Sequence, residues 1–227
     1  MIRLCDGLKS SIGTKFLMAA SGVLLLGFVL AHMLGNLQLF LGAEALDGYA
    51  QKLQDMGPLL WVARAGLLGL LLLHVFSALK LTRQNRAARP VPYAMHRPFQ
   101  ASYASRTMVM TGVIVLAFVA YHLLHFTFGA VDSDSYALAH AGSGLHVHAM
   151  MVHAFQQPLV AIAYMLANAL LALHITHGVG SLFQSLGLNS ARTRGCATCL
   201  GKGVGALVFI GNVSMPLAVL AGWVGGN

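Results

Sequence analysis

The chain has 227 residues, of which 57% are hydrophobic and only 9% charged, and its mean hydropathy is +0.73. A water-soluble domain carries about a quarter charged residues, so this composition excludes one and points to an integral membrane protein. The net charge of +8 comes with no nucleic-acid module; its basic residues gather beside apolar runs, where they set topology and attract anionic lipid headgroups.

Five runs are long enough to cross a hydrocarbon layer roughly 30 Å thick, which takes about 20 helical residues: 16–41, 59–81, 108–128, 155–183 and 204–224. Lipid satisfies no backbone polar group, and the runs lack the period-two alternation of barrel strands, so each is expected as an α-helix. The predicted fold is one all-α domain over 1–227, a five-transmembrane-helix bundle. The first run carries Ser21, Gly22 and His32 and is too long for a cleaved signal peptide, so it is expected to remain in the mature protein. The second carries His74, the third His122 and His125, the fourth His174 and His177, and the fifth no histidine.

The connections between these runs differ in charge. Lysines and arginines before the first run, between the second and third (Lys80 to Arg106), and between the fourth and fifth (Arg192, Arg194, Lys202) make up 12 of the 14 in the chain. The positive-inside rule therefore predicts a cytoplasmic amino terminus and an outer carboxyl terminus. Glu44, Asp47, Asp55, Asp132 and Asp134 fall in the two outer loops, and no acidic residue lies in a run. Of the three cysteines, Cys196 and Cys199 form a lone CxxC, which without a second pair reads as two reduced loop thiols. His140, His146, His148 and His153 read as interfacial side chains of the second outer loop.

With this orientation, His32 and His122 lie about 21–24 Å above the cytoplasmic edge, and His74 and His174 about 10–14 Å above it. Four histidines on four helices thus sort into an outer and an inner pair. One histidine in a bundle is usually a packing residue, but ionisable groups inside spans are costly and mark functional sites. Two imidazoles facing each other from separate helices suit the two axial positions of a b-type haem, and a second pair suits a second haem. Zinc or copper wants three or four ligands at one level, and the runs offer no carboxylate to complete such a set. Spacing does not separate His122 from His125 or His174 from His177, since i and i+3 share a helix face. Ser21, Ser77, Thr111 and Thr176 are candidate partners for the second ring nitrogens. Gly22, Gly35, Gly66, Gly69, Gly112, Gly178 and Gly180 are candidate points of close approach.

The stretches SSIGTKFLMAASG (10–22), AHMLGNLQLF (31–40), LLHVFSALKL (72–81), TGVIVLAFVAYHLLHF (111–126) and LHITHGVGSLFQSLGLN (173–189) resemble, in this order and with these four histidines, the dihaem cytochrome b membrane-anchor subunit of succinate dehydrogenases and quinol:fumarate reductases. The resemblance covers nearly the whole chain. It implies His32, His74, His122 and His174 as ligands of two b haems, the first member of each HxxH, and leaves Ser21, His125 and His177 to contacts around the haems. It also implies menaquinone as electron partner, flavoprotein and iron–sulfur subunits docked on the cytoplasmic face at the 10–16 and 80–106 segments, dimerisation of the whole complex, and a bacterial inner-membrane location. Quinone is expected near the outer haem, with Glu44, Gln54 and Asp55 as candidate contacts; a site beside the inner haem is the other position. The chain has no Rossmann glycine pattern, P-loop or iron–sulfur cysteine set, so dicarboxylate chemistry belongs to the partner subunits. In some relatives a glutamate two residues before the fourth ligand carries a compensating proton; here that position is Ala172. Two other readings of the residues stand beside this one: a cytochrome b anchor of a hydrogenase or formate dehydrogenase, and a haem-free proton-coupled transporter.

Overall fold

The computed structural model describes residues 10–88, 107–142, 144–188, 190 and 192–226. Cys5 and the basic residues Arg3, Lys9, Arg89, Arg97 and Arg106 lie outside them, as does most of the 80–106 docking segment. Among the described residues there is no strand, and five helices are long and apolar enough to cross a membrane.

The first is α1, Ser11–Asn36, prolonged by a 3-10 turn, Leu37–Leu41. Ser10 starts it as N-cap, its hydroxyl accepting from the Gly13 amide at 3.1 Å and satisfying one of the orphan donors of the first turn. A short outer helix, α2 (Ala43–Gln54), follows, and Gly57 at φ 54 turns the chain into α3, Pro58–Ala87. Proline at the first helical position fits because its missing N–H would have no helical partner there. The third span is α4, Met108–His122, whose last turn widens into a π turn, Leu123–Thr127. Two further outer helices, α5 (Ser133–Ala139) and α6 (Val147–Gln156), precede the fourth span, α7 (Pro158–Ser185), and the fifth, α8 (Arg194–Leu220).

Several boundaries differ from those expected, for physical reasons. The run 155–183 is divided, because the residue before a proline is pushed out of the helical region: Gln157 is extended, Phe155 belongs to α6, and the span begins at Pro158. The fifth helix starts at Arg194 rather than 204, so Cys196 and Cys199 are exposed helical thiols and not loop residues. The outer connections, expected as loops, carry α2, α5 and α6. These helices are too short to span and too mixed in composition to stand out, yet apolar residues of α2 and α6 close the end of the bundle at which the first span ends and the fourth begins. Leu39, Leu46, Met151, Val152, Phe155, Tyr164, Met215 and Val219 form the larger core cluster there. Asp47 of α2 pins α6 to it by accepting from the His148 amide at 2.8 Å in the first turn of α6, an anionic side chain at a helix N-terminus.

Helix packing sets the stage for the histidines. α1 packs on α3, α4 on α7, and α7 on both α1 and α8. A Cβ on Gly201 would lie 2.6 Å from the Thr176 carbonyl, and one on Gly205 would collide with the Thr176 hydroxyl, so small residues let α8 lie directly on the α7 backbone. In contrast, only Ser77 and Leu81 of α3 are buried.

Candidate functional site

The structure brings the four expected histidines together in two pairs, and each pair joins helices that are not sequence neighbours. His32 of α1 faces His122 of α4 with ring centroids 5.8 Å apart and planes at 85°. His74 of α3 faces His174 of α7 at 6.4 Å and 67°. Two imidazoles sharing one metal through Nε2 have centroids roughly 6 Å apart, two metal–nitrogen bonds of about 2.0 Å plus the two half-rings. Both pairs are spaced for that. Among the described residues no three His, Cys, Asp or Glu side chains gather as a metal cluster, so each pair stands as two imidazoles on two helices.

Hydrogen bonds at the far side of each ring determine which nitrogen carries the lone pair. Nδ1 of His74 lies 3.2 Å from the Met18 carbonyl, which only accepts, so the proton sits on Nδ1 and Nε2 is free. The Ser21 hydroxyl, 3.3 Å from the same nitrogen, gives its own proton to the Leu17 carbonyl at 2.7 Å. Thr111 does the same across the bundle: it donates to the Met108 carbonyl at 3.0 Å and meets Nδ1 of His174 at 3.4 Å. At His32 the basic nitrogen is again Nε2, which accepts from the Asn36 amide at 3.1 Å; a metal there displaces that amide. Such outer partners fix tautomer and ring orientation in metal sites.

Gly22 and Gly112 complete the two inner cradles. A Cβ on either would stand 3.3 Å from Cε1 of His74 or His174 respectively, tighter than ordinary contact. The two half-sites form an internal repeat: a hydroxyl residue followed by glycine, Ser21-Gly22 and Thr111-Gly112, each with its own-helix histidine eleven residues later, His32 and His122. That spacing is three helical turns, and it is the sequence signal by which the cradles are recognisable.

The rivals within each HxxH separate differently. His125 is 1% exposed, and both its nitrogens are engaged, Nδ1 with the Tyr164 hydroxyl at 2.9 Å and Nε2 with Asp132 at 3.4 Å. It sits in the π turn, which rotates it away from the face of His122. His177 is partly buried on α7, and the imidazole facing His74 is that of His174. Thr176 is no histidine partner: it bonds to the Ala172 carbonyl at 2.8 Å. Ser77 is buried. A Cβ at Gly66, Gly69, Gly178 or Gly180 would meet nothing within 4 Å, although a Cβ on Gly201 of α8 would lie 3.5 Å from the Gly180 backbone nitrogen, and Gly35 lies against Tyr49.

The three quinone candidates are not brought together. Glu44 lines an open cavity of about 410 Å³ with Gln38, Leu41, Gly48, Tyr49 and Lys52. Gln54 and Asp55 lie exposed at the other end of α2, Asp55 taking a hydrogen bond from Gln51 at 2.9 Å. His146 is 3.8 Å from Asp47 and His140 bonds to the Tyr136 carbonyl at 3.1 Å. Two residues that no motif marks, Tyr164 and Asp132, join the outer pair instead. Comparison of the chain with family models, curated proteins and solved structures returns no match.

Proposed function

We propose that this protein is the dihaem cytochrome b membrane anchor of a succinate dehydrogenase or quinol:fumarate reductase, carrying electrons between membrane menaquinone and flavoprotein and iron–sulfur subunits on the cytoplasmic side. The observation that carries the reading is the pair of facing imidazole sets, His32 with His122 and His74 with His174, each at the spacing of a shared metal. His32 and His122 would hold the outer iron, and His74 and His174 the inner one. Bound there, b haem supplies reversible one-electron exchange without proton uptake by the iron. The residues of the chain do the rest: Met18, Ser21 and Thr111 orient the inner imidazoles, and Gly22 and Gly112 let a flat group approach them.

The charge distribution supports a cytoplasmic amino terminus in a bacterial inner membrane, with Lys15 and the basic ends of α3 and α8 on the docking side. The Glu44 cavity, at the outer end of α1, supports a quinone contact near the outer pair, with the reaction completed by the partner subunits.

A reduced-minus-oxidised spectrum and a haem count on the purified complex test the reading. Two b haems per chain are expected, with succinate reducing them. Replacing His74 or His174 is expected to remove one spectral component and replacing His32 or His122 the other, while His125→Gln keeps both. Absence of any haem band would leave a histidine-bearing transporter; haems that succinate never reduces would point to the anchor of another dehydrogenase.

A further inference from the structure

A continuous hydrogen-bond chain leads from the outer histidine pair to the outer face. Nδ1 of His122 lies 3.4 Å from the Tyr164 hydroxyl, that hydroxyl 2.9 Å from Nδ1 of His125, and Nε2 of His125 3.4 Å from Asp132 Oδ2. Asp132 stands beyond the third span as N-cap of α5. Its carboxylate is surrounded by donors: the Ser135 amide at 3.1 Å, the Ser135 hydroxyl at 2.5 Å and the Gln157 amide nitrogen at 3.0 Å, besides His125. Ser135 in turn meets Nδ1 of the exposed His153 at 2.8 Å. Three of these four donors converge on Oδ2 and the fourth meets Oδ1, and so many donors at one carboxyl favour the ionised form, which only accepts.

The direction of the whole chain follows from that one charge. An ionised Asp132 only accepts, so Nε2 of His125 donates to it. Nδ1 of a neutral His125 is then the basic nitrogen and takes the Tyr164 proton. With its single proton given away, the Tyr164 oxygen is left as acceptor for His122, whose proton must sit on Nδ1. We propose that Asp132 is a positioning residue for His122: through His125 and Tyr164 it holds the imidazole as the Nδ1–H tautomer and strengthens the Nε2 lone pair that faces His32. The inner histidines take the same tautomer from a carbonyl and hydroxyls of the neighbouring helices, all neutral. Among the described residues a full charge is hydrogen-bonded into the outer site and none into the inner one, so the outer ligand is the more basic of the two sets. The effect on a bound iron rests on the haem reading above; the tautomer does not.

The test uses the full-length chain in its complex. If haem is present, redox titration of the two components decides. Asp132→Asn keeps an N-cap oxygen for Ser135 but lets the chain reverse, and Tyr164→Phe cuts it while leaving the cap untouched. Each is expected to make the outer component easier to reduce by roughly tenfold in its equilibrium constant, about 59 mV for a one-electron couple, without moving the inner one. The double variant is expected to add little to either, because both act through one path; Asp134→Asn, on an exposed neighbour, changes nothing. Unmoved potentials, or fully additive shifts, overturn the proposal, since loss of a merely structural cap gives no matching effect in Tyr164→Phe. If no haem is present, the haem reading falls, and nitrogen-15 NMR of the labelled chain in lipid, with the His122 signals assigned through His122→Gln, decides instead. Nδ1–H in the wild type, turning to Nε2–H in Asp132→Asn, is the expected result; Nε2–H in the wild type, or no change in the variant, overturns it.

Discussion

Gly112 lies so close to His174 that a Cβ there would stand 3.3 Å from the imidazole Cε1, and Gly22 bears the same relation, at the same distance, to His74. Each glycine comes from a helix other than that of its histidine, directly after the hydroxyl residue that meets Nδ1. Neither backbone needs glycine for its dihedral angles; what each position needs is the absence of a side chain.

Enlarging these positions should therefore act on one site only. Under the proposed function, Gly112→Val and Gly22→Val are each expected to displace the inner imidazole and abolish or broaden the spectral component of the inner pair, at a packing cost of about 1–3 kcal/mol, while that of the outer pair persists. Loss of the outer component alone would mean that the cradles are assigned to the wrong pair.

The α7–α8 contact makes a separate prediction about stability. At Gly201 an added methyl meets the Thr176 backbone carbonyl at 2.6 Å, which cannot swing aside, whereas at Gly205 the nearest obstacle is the Thr176 hydroxyl, which can turn, and the backbone carbonyl of Ala172 stands farther off at 2.9 Å. Gly201→Ala is expected to lower the unfolding temperature of the detergent-solubilised chain more than Gly205→Ala, by about 1–3 kcal/mol in equivalent stability. Adding Thr176→Ser to Gly205→Ala tests the contact further: if the oxygen were the whole obstacle, the rescue would fail, and if the β-methyl shared in it, part of the loss would return.

Much of this arrangement was legible in the residues. Five apolar runs announce five spans because lipid demands continuous apolar helix, and the pairing of His32 with His122 and of His74 with His174 follows from a fixed rise per residue. The short helices were not legible: α2 and α6 pack into the Leu39–Phe155–Met215 core, which exists only after the spans assemble, and α5 packs against α6. Nor was the separation of His122 from His125, since a π turn leaves no mark on hydrophobic periodicity. Tyr164 reads as one more apolar aromatic in α7, and Asp132 as one of several loop acids; only tertiary contact shows that both belong to one chain of bonds leading to His122.

Asp132 also makes a prediction in pH. Burial pushes its carboxyl up, but the hydroxyl and amide of Ser135, and then His125, pull it further down, so it rests below the ordinary value of 3.8. A carboxyl lowered in the folded state contributes stability that is full above its unfolded value and is lost as pH falls through the folded one. The stability gap between wild type and Asp132→Asn is thus expected to hold from neutral pH down to about 4 and to close only below. The groups facing Asp132 are His125, Tyr121, Ser135 and Gln157, with His153 behind Ser135. A gap that closed already near pH 6.5 would assign the titration to a histidine rather than to Asp132.

The proposed function has a consequence for charge across the membrane. If menaquinol is oxidised near the outer face, its two protons leave outside, two electrons pass inward between the histidine pairs, and fumarate reduction takes up two protons inside. Charge then moves with every turnover unless a proton crosses with the electrons. The position at which some members of the resembled family carry a glutamate for that purpose is Ala172, buried, with its carbonyl taken by Thr176 and its surroundings packed against Gly205. All six acidic residues of the chain lie outside the five spans. Turnover by the complex in proteoliposomes, driven by menaquinol and fumarate, is therefore expected to generate an uncoupler-sensitive potential, negative inside, that a voltage-sensitive dye reports. Steady turnover with no potential would place quinone oxidation on the cytoplasmic side or demand another proton path; where a potential is generated, Ala172→Glu is expected to lower it by opening a path for protons.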